Sequence, residues 1–223
     1  MATRLLGSKS FWQRLRGGPW DKPVVDRIEV ALETITRRLR ASDDVIGIVV
    51  FGSYARGDFG RKSDLDLLVI LRPTLNGDQD GVRRHAINIV SEVESETRLP
   101  VHIAPFVTSA GDPDGLGAEF LHELWTDGVV LYGEASTLAM LQPSGLAPWS
   151  VVRFSLDGTL PKERVRLARR LHGTRGKPGI IRLPGLNLSR GAALVPAEQT
   201  RAVRDALDDA GAVYDIVPVW REV

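Results

Sequence analysis

The sequence predicts an α/β (α+β) protein in two parts, a larger N-terminal domain followed by a smaller C-terminal α+β domain. Three observations predict it. Val45–Phe51 (VIGIVVF) is an unbroken apolar run, the mark of a strand buried on both faces, and it alternates with segments of helical period. Residues 142–148 (QPSGLAP) hold two prolines and a glycine and read as a linker. Beyond them the order strand, helix, strand, strand, helix, strand is that of the split, ferredoxin-like arrangement.

The elements follow from pattern. Val24, Ile28, Ala31, Leu32, Ile35 and Leu39 recur at spacings of three and four, so 23–42 is an amphipathic helix closed by a basic last turn. After the apolar strand, 52–62 is rich in Gly, Arg and Asp and reads as a loop with room for a short helical turn. Residues 64–71 (DLDLLVIL) form the next strand, 79–97 a helix, and 99–107 (LPVHIAPFV) a third strand. Helical period returns over 116–125, a short strand is expected at 129–132 and a helix at 135–141. In the second part the expectation is strand 150–156, helix 161–171, two short strands within 179–196, helix 197–210 and strand 212–220. The domains are therefore a basic N-terminal arm over 1–22, a body over 23–141 and a basic α+β domain over 149–223.

Composition narrows the function. With 43% apolar residues the chain can build ordinary cores, and with no cysteine it can carry neither thiol catalysis nor a cysteine metal site. No run reaches the roughly 18 to 20 apolar residues of a membrane span. The N-terminal arm is broken by Arg14, Arg16, Gly17 and Gly18 and lacks the apolar stretch of a secretory signal, so the expected location is the cytoplasm. Phe11, Trp12 and Trp20 are expected to dock on the body or on a partner. Net charge is +1, but from Trp149 onward 13 Lys and Arg face 8 Asp and Glu, whereas the preceding residues carry 16 against 20. That change of sign points to two functional regions, one suited to a polyanion.

The chemistry concentrates in Gly52-Ser53, ten further residues, then Asp64-Leu65-Asp66. On a strand, residues two apart leave the same face, so Asp64 and Asp66 present two hard oxygen donors side by side. Such a pair suits Mg²⁺ or Mn²⁺ together with phosphate oxygens. Gly52 ends a buried strand where the backbone must turn and admit a phosphate, and Ser53 offers a hydroxyl and following amides. Arg56, Arg61 and Lys62 stand where triphosphate charge needs neutralising.

The segments Gly52-Ser53-Tyr54-Ala55-Arg56-Gly57 and Ser63-Asp64-Leu65-Asp66-Leu67-Leu68-Val69 resemble the signature of the minimal nucleotidyltransferases, in the DNA-polymerase-β-like nucleotidyltransferase superfamily. The resemblance is close over about 20 residues, and the order of elements over 23–107 is similar to the family core. It implies a nucleotidyltransferase core with a mixed sheet and transfer of a nucleoside monophosphate from a nucleoside triphosphate, such as ATP, to a hydroxyl. The acceptor in such families is a small molecule, a protein or an RNA end. It further implies nucleotide binding by Gly52 and Ser53 and metal at Asp64 and Asp66, and Arg56 and Lys62 join the nucleotide-binding candidates by their charge. The family's third carboxylate comes from the following strand. Here Val101-His102-Ile103 stands in its place. His102 is then a ligand or base in the carboxylate's stead, or Asp112 or Asp114 supplies one. Otherwise the chain is an impaired nucleotide- or nucleic-acid-binding module, such as an antitoxin-like partner of another protein.

The C-terminal region adds a basic face. Arg166, Arg169 and Arg170 share one side of the helix 161–171, and Arg175 and Lys177 lie in the glycine-rich loop after it. These five residues are the candidates for binding a phosphate backbone, RNA and particularly tRNA before DNA.

Overall fold

The computed structural model describes residues 8–73, 79–110, 116–133, 137, 138, 140, 141, 145–181, 186–189 and 191–222. They form two compact units, one of Met1–Gly117 with Asp127–Gln142 and one of Ala118–Thr126 with Pro143–Val223.

In the first unit, helices α1 (Ser8–Gly17) and α2 (Lys22–Leu39) precede strand β1 (Val45–Phe51). The short helix α3 (Gly52–Arg56), strand β2 (Leu65–Leu71), helix α4 (Gln79–Thr97) and strands β3 (Ile103–Ser109) and β4 (Val129–Tyr132) complete it. Asp21 caps α2 through a bond from Val24 N–H to its Oδ1, and Pro23 occupies the first turn, where its missing N–H costs nothing. The predicted stripe is the buried one: Ile28, Ala31, Leu32, Ile35 and Leu39 face inward. The sheet runs β3-β2-β1-β4. β1 is antiparallel to β2 and β4, and β2 is parallel to β3, so the sheet is mixed. Ile48, Val50, Leu65, Leu67 and Val69 pack with α2 and α4 into one core. Val49, Leu68 and Ile70, on the alternate positions, are buried too, which is why β1 and β2 read as continuous apolar runs.

Several boundaries shift. The short helical turn expected after β1 is α3, closed by Gly57 at φ +93° with its N–H on Ser53 O at 2.7 Å. β3 starts at Ile103 rather than at residue 99, since Pro100 has no N–H to donate and Arg98 turns the chain at φ +48°. Within the N-terminal arm, Phe11 and Leu15 of α1 are buried in the core of this unit. Of the helix expected over 135–141, Thr137 and Leu138 are helical, while 135, 136 and 139 lie outside the described residues.

In the second unit, helix α5 (Ala118–Asp127) contributes its residues up to Thr126, although the sequence reading kept it within 23–141. The reason is a buried polar anchor: His122 Nε2 lies 2.9 Å from Trp149 O and 3.1 Å from Ser150 Oγ, which in turn meets Thr200 Oγ1 at 2.7 Å. Strand β5 (Leu146–Ser155) begins inside the expected linker, pairing Leu146 with Glu222 and Pro148 with Trp220. Pro148 is tolerated because β9 joins β5 only from Trp149 onward, so the strand is single-sided there. Helix α6 (Pro161–His172), the hairpin β6 (Gly173–Thr174) and β7 (Lys177–Pro178), and strands β8 (Leu186–Ser189) and β9 (Ala192–Pro196) follow. Helix α7 (Ala197–Asp209) and strand β10 (Val213–Glu222) end the unit. The four-stranded sheet has the order β10-β5-β9-β8 with every pair antiparallel, and Val152, Leu167, Leu171, Val195, Val203 and Leu207 form its core. Among the described residues, no helix is long and apolar enough to cross a membrane.

Candidate active site

The site is built where β1 ends and β2 begins. These strands are antiparallel, so the residue that follows one lies beside the start of the other, and Phe51 pairs with Asp66. Gly52 therefore lies directly against the Asp66 carboxylate: a Cβ built on Gly52 would overlap Asp66 Oδ2. Its φ of +69° adds a second reason for glycine. The turn and the carboxylate thus share one point, although ten residues separate Ser53 from Asp64.

Behind that point the loop is packed; in front it is open. Tyr54 and Ala55 are fully buried, Phe59 nearly so, and Tyr54 stacks on Phe59 with ring centroids 4.2 Å apart. Burial pushes the Tyr54 hydroxyl above its ordinary pKa; the hydrogen bond from Trp20 lowers it in part, and the negative charge of Asp64 raises it further. Asp64 and Lys62 are exposed, Ser53 and Asp66 partly so. Arg56 Nε bonds Asp58 Oδ2 at 3.2 Å, and the Arg61 guanidinium stands 5.8 Å over the Trp20 ring. A turn between Gly60 and Ser63, with Gly60 N–H on Ser63 Oγ at 2.9 Å, returns the chain to Asp64.

Residues 32–113, which contain every residue just described except Trp20, match the family model of the nucleotidyltransferase domain. Over that span the chain is similar to a nucleotidyltransferase domain. A Methanocaldococcus jannaschii protein named as a protein adenylyltransferase is 37% identical to it over 70 residues, 31% of this chain. The match spans 46% of that relative's length. A toxin–antitoxin complex solved with AMP-PNP aligns at 20% identity and a TM-score of 0.35, over 49% of this chain and 79% of the other. A Sulfolobus solfataricus protein named as a nucleotidyltransferase aligns at 18% identity and a TM-score of 0.33, over 52% and 92%.

Within the matched span, His102 sits just before β3, at the same end of the sheet as Asp64. The register pairs Leu65 with Ile103, and Leu65 N–H donates to His102 O at 2.9 Å. Its ring meets a carboxylate that sequence reading did not single out. Nδ1 lies 3.1 Å from Glu94 Oε1 and 3.2 Å from Oε2, and Glu94 Oε2 also accepts from Ile103 N–H at 3.1 Å. Because an ionised carboxylate only accepts, Nδ1 is the ring nitrogen that donates to Glu94, and in the neutral ring Nε2 then presents a lone pair. The side chain of His102 is 62% exposed. No group of three or more His, Asp or Glu side chains with metal-ligand spacing occurs among the described residues. Asp112 and Asp114 lie outside them.

The basic residues of the second unit divide. Arg166 is 3.8 Å from Glu163 and Arg170 is ion-paired with Asp209, so acids temper two of the three helical arginines. Arg169 and Lys177 line an open hollow beside the β6–β7 hairpin with Thr174 and Ile180, and Arg175 is exposed at the hairpin's turn.

Proposed function

We propose that this chain transfers AMP from ATP to a hydroxyl on a protein, with a divalent cation held by Asp64 and Asp66. The contact of the Gly52 backbone with the Asp66 carboxylate carries the reading, because it brings the glycine turn after β1 against one carboxylate of the Asp64–Asp66 pair. Two carboxylates two residues apart at the start of β2, both reached by solvent, are a donor pair that suits Mg²⁺ or Mn²⁺. Bound there, such an ion supplies charge neutralisation at the phosphate oxygens and acidifies an attacking hydroxyl.

The chain's own residues do the rest. Ser53 and its neighbouring amides hold phosphate oxygens, and Arg56 and Lys62 add positive charge from the exposed limb of the loop. The acceptor oxygen bonds to the α-phosphorus, the bond to the bridging oxygen of the β-phosphate breaks, and pyrophosphate departs. The acceptor's proton passes to His102 Nε2, held in the accepting tautomer by Glu94. The adenylyl donor and the protein acceptor rest on the name of the M. jannaschii relative. An RNA end is the second reading, supported by Arg169, Arg175 and Lys177, which have no acidic partner among the described residues.

The test uses ATP labelled at either the α- or the γ-phosphate, incubated with the chain, Mg²⁺ and a cell extract. The expected result is protein-bound label from α-labelled ATP and none from γ-labelled ATP. Label in nuclease-sensitive material favours the RNA reading. Tight nucleotide binding without transfer of either label would leave a binding module in place of an enzyme.

A further inference from the structure

We propose that residues 14–20, which precede the matched domain, are a positioning clamp for the nucleotide loop 52–63, and that Trp20 acts through the Tyr54 hydroxyl. The inference rests on the reading of that loop as the nucleotide site.

The segment touches the inner side of the loop at successive points. Arg14 Nη2–H donates to Ala55 O at 2.9 Å, and its aliphatic stem fills the space beside Gly57, where a Cβ would strike Arg14 Cδ. Gly18 lies so near the Phe59 ring that a Cβ would overlap it. Trp20 Nε1–H donates to Tyr54 Oη at 3.0 Å, and the Trp20 ring carries the Arg61 guanidinium. Phe11 and Leu15 root this segment in the core of the unit, so it is a fixed support. The inner residues Tyr54, Ala55 and Phe59 are gripped, while Lys62 is exposed and Ser53 and Arg56 are partly so.

The coupling runs through one buried hydroxyl. A buried polar atom that loses its partner keeps its full desolvation cost, so without the indole donor Tyr54 is driven to move. Tyr54 follows Ser53 directly on the five-residue helix α3, and displacement of one displaces the other. Misplacement of a positioning group by about 1 Å is enough to cost on the order of a hundredfold in rate.

The experiment compares full-length wild type with Trp20→Phe, Tyr54→Phe and the double variant. The first readout is affinity for an ATP analogue with a methylene bridge between the α- and β-phosphorus, measured with Mg²⁺ and without turnover. The second is amide hydrogen exchange. Trp20→Phe is expected to weaken analogue binding by about tenfold and to speed exchange across residues 53–59, with β2 unchanged. The double variant is expected to bind no worse than Tyr54→Phe alone, because the two residues act as one unit. Equal affinity of wild type and Trp20→Phe would overturn the clamp, as would uniformly faster exchange through β1 and β2 or independent, additive effects in the double variant. Failure of wild type itself to bind the analogue would instead overturn the nucleotide reading of the loop, and the clamp with it.

Discussion

Tyr54 ties the site to the stability of its unit. Its hydroxyl pKa is raised above 10.0, first by burial and further by Asp64. The unfolded chain therefore releases this proton near pH 10, whereas the folded chain keeps it to higher pH. Stability from this group is complete below about pH 10 and is lost as pH climbs through the raised value. Tyr54→Phe is expected to flatten the alkaline decline measured by urea unfolding between pH 8 and 11.5. Tyr214, whose pKa is also raised, stays in both proteins, so the difference between them reports Tyr54. Identical slopes would contradict the assignment. At this scale Gly52, Ser53, Asp64 and Asp66 were legible in the sequence because they stand at short spacing. Trp20 and Tyr54 were hidden as partners because 34 residues separate them and only folding brings them together.

At the scale of elements, the joint between α4 and β3 matters most. Glu94, three residues before the end of α4, binds both the His102 ring and the first amide of β3, so it fixes the strand's start and the imidazole's tautomer together. Glu94→Gln retains an acceptor for Ile103 N–H but removes the carboxylate charge beside the His102 ring. If His102 is the base, this variant should lower transfer by roughly tenfold, part of the about 10²–10⁴ that a positioned base contributes, while the thermal midpoint stays near wild type. An unchanged rate with His102→Gln also active would show the pair to be a strand anchor only. The strands were legible in the sequence as apolar runs, and the start of β3 was not. Proline and a left-handed Arg98 break the pattern just where pairing begins, and Glu94 looks like any exposed helical acid.

At the scale of the whole molecule, the family resemblance covers less than half of the chain, residues 32–113. Of the remainder, α1, the start of α2 and β4 pack into the same core as that span, and the second unit has a core of its own. α5 shows how sequence adjacency misleads: its helical pattern placed it with its neighbours, but buried His122 ties it to Trp149 and Ser150 of the second unit. An imidazole buried among hydroxyls leaves no periodic signature. The alternation of strands and helices after residue 148 was readable, and the antiparallel order of that sheet came from pairing that no local pattern encodes. What unites the molecule functionally is the claim that Gly52, Ser53, Asp64 and Asp66 form one transfer site. The most direct measurement is incorporation of label from α-labelled ATP by wild type and by Asp64→Asn/Asp66→Asn, with thermal unfolding followed in parallel. The expected result is a loss of at least about a hundredfold in a variant that unfolds at nearly the wild-type temperature. Undiminished incorporation by that folded variant would contradict the assignment.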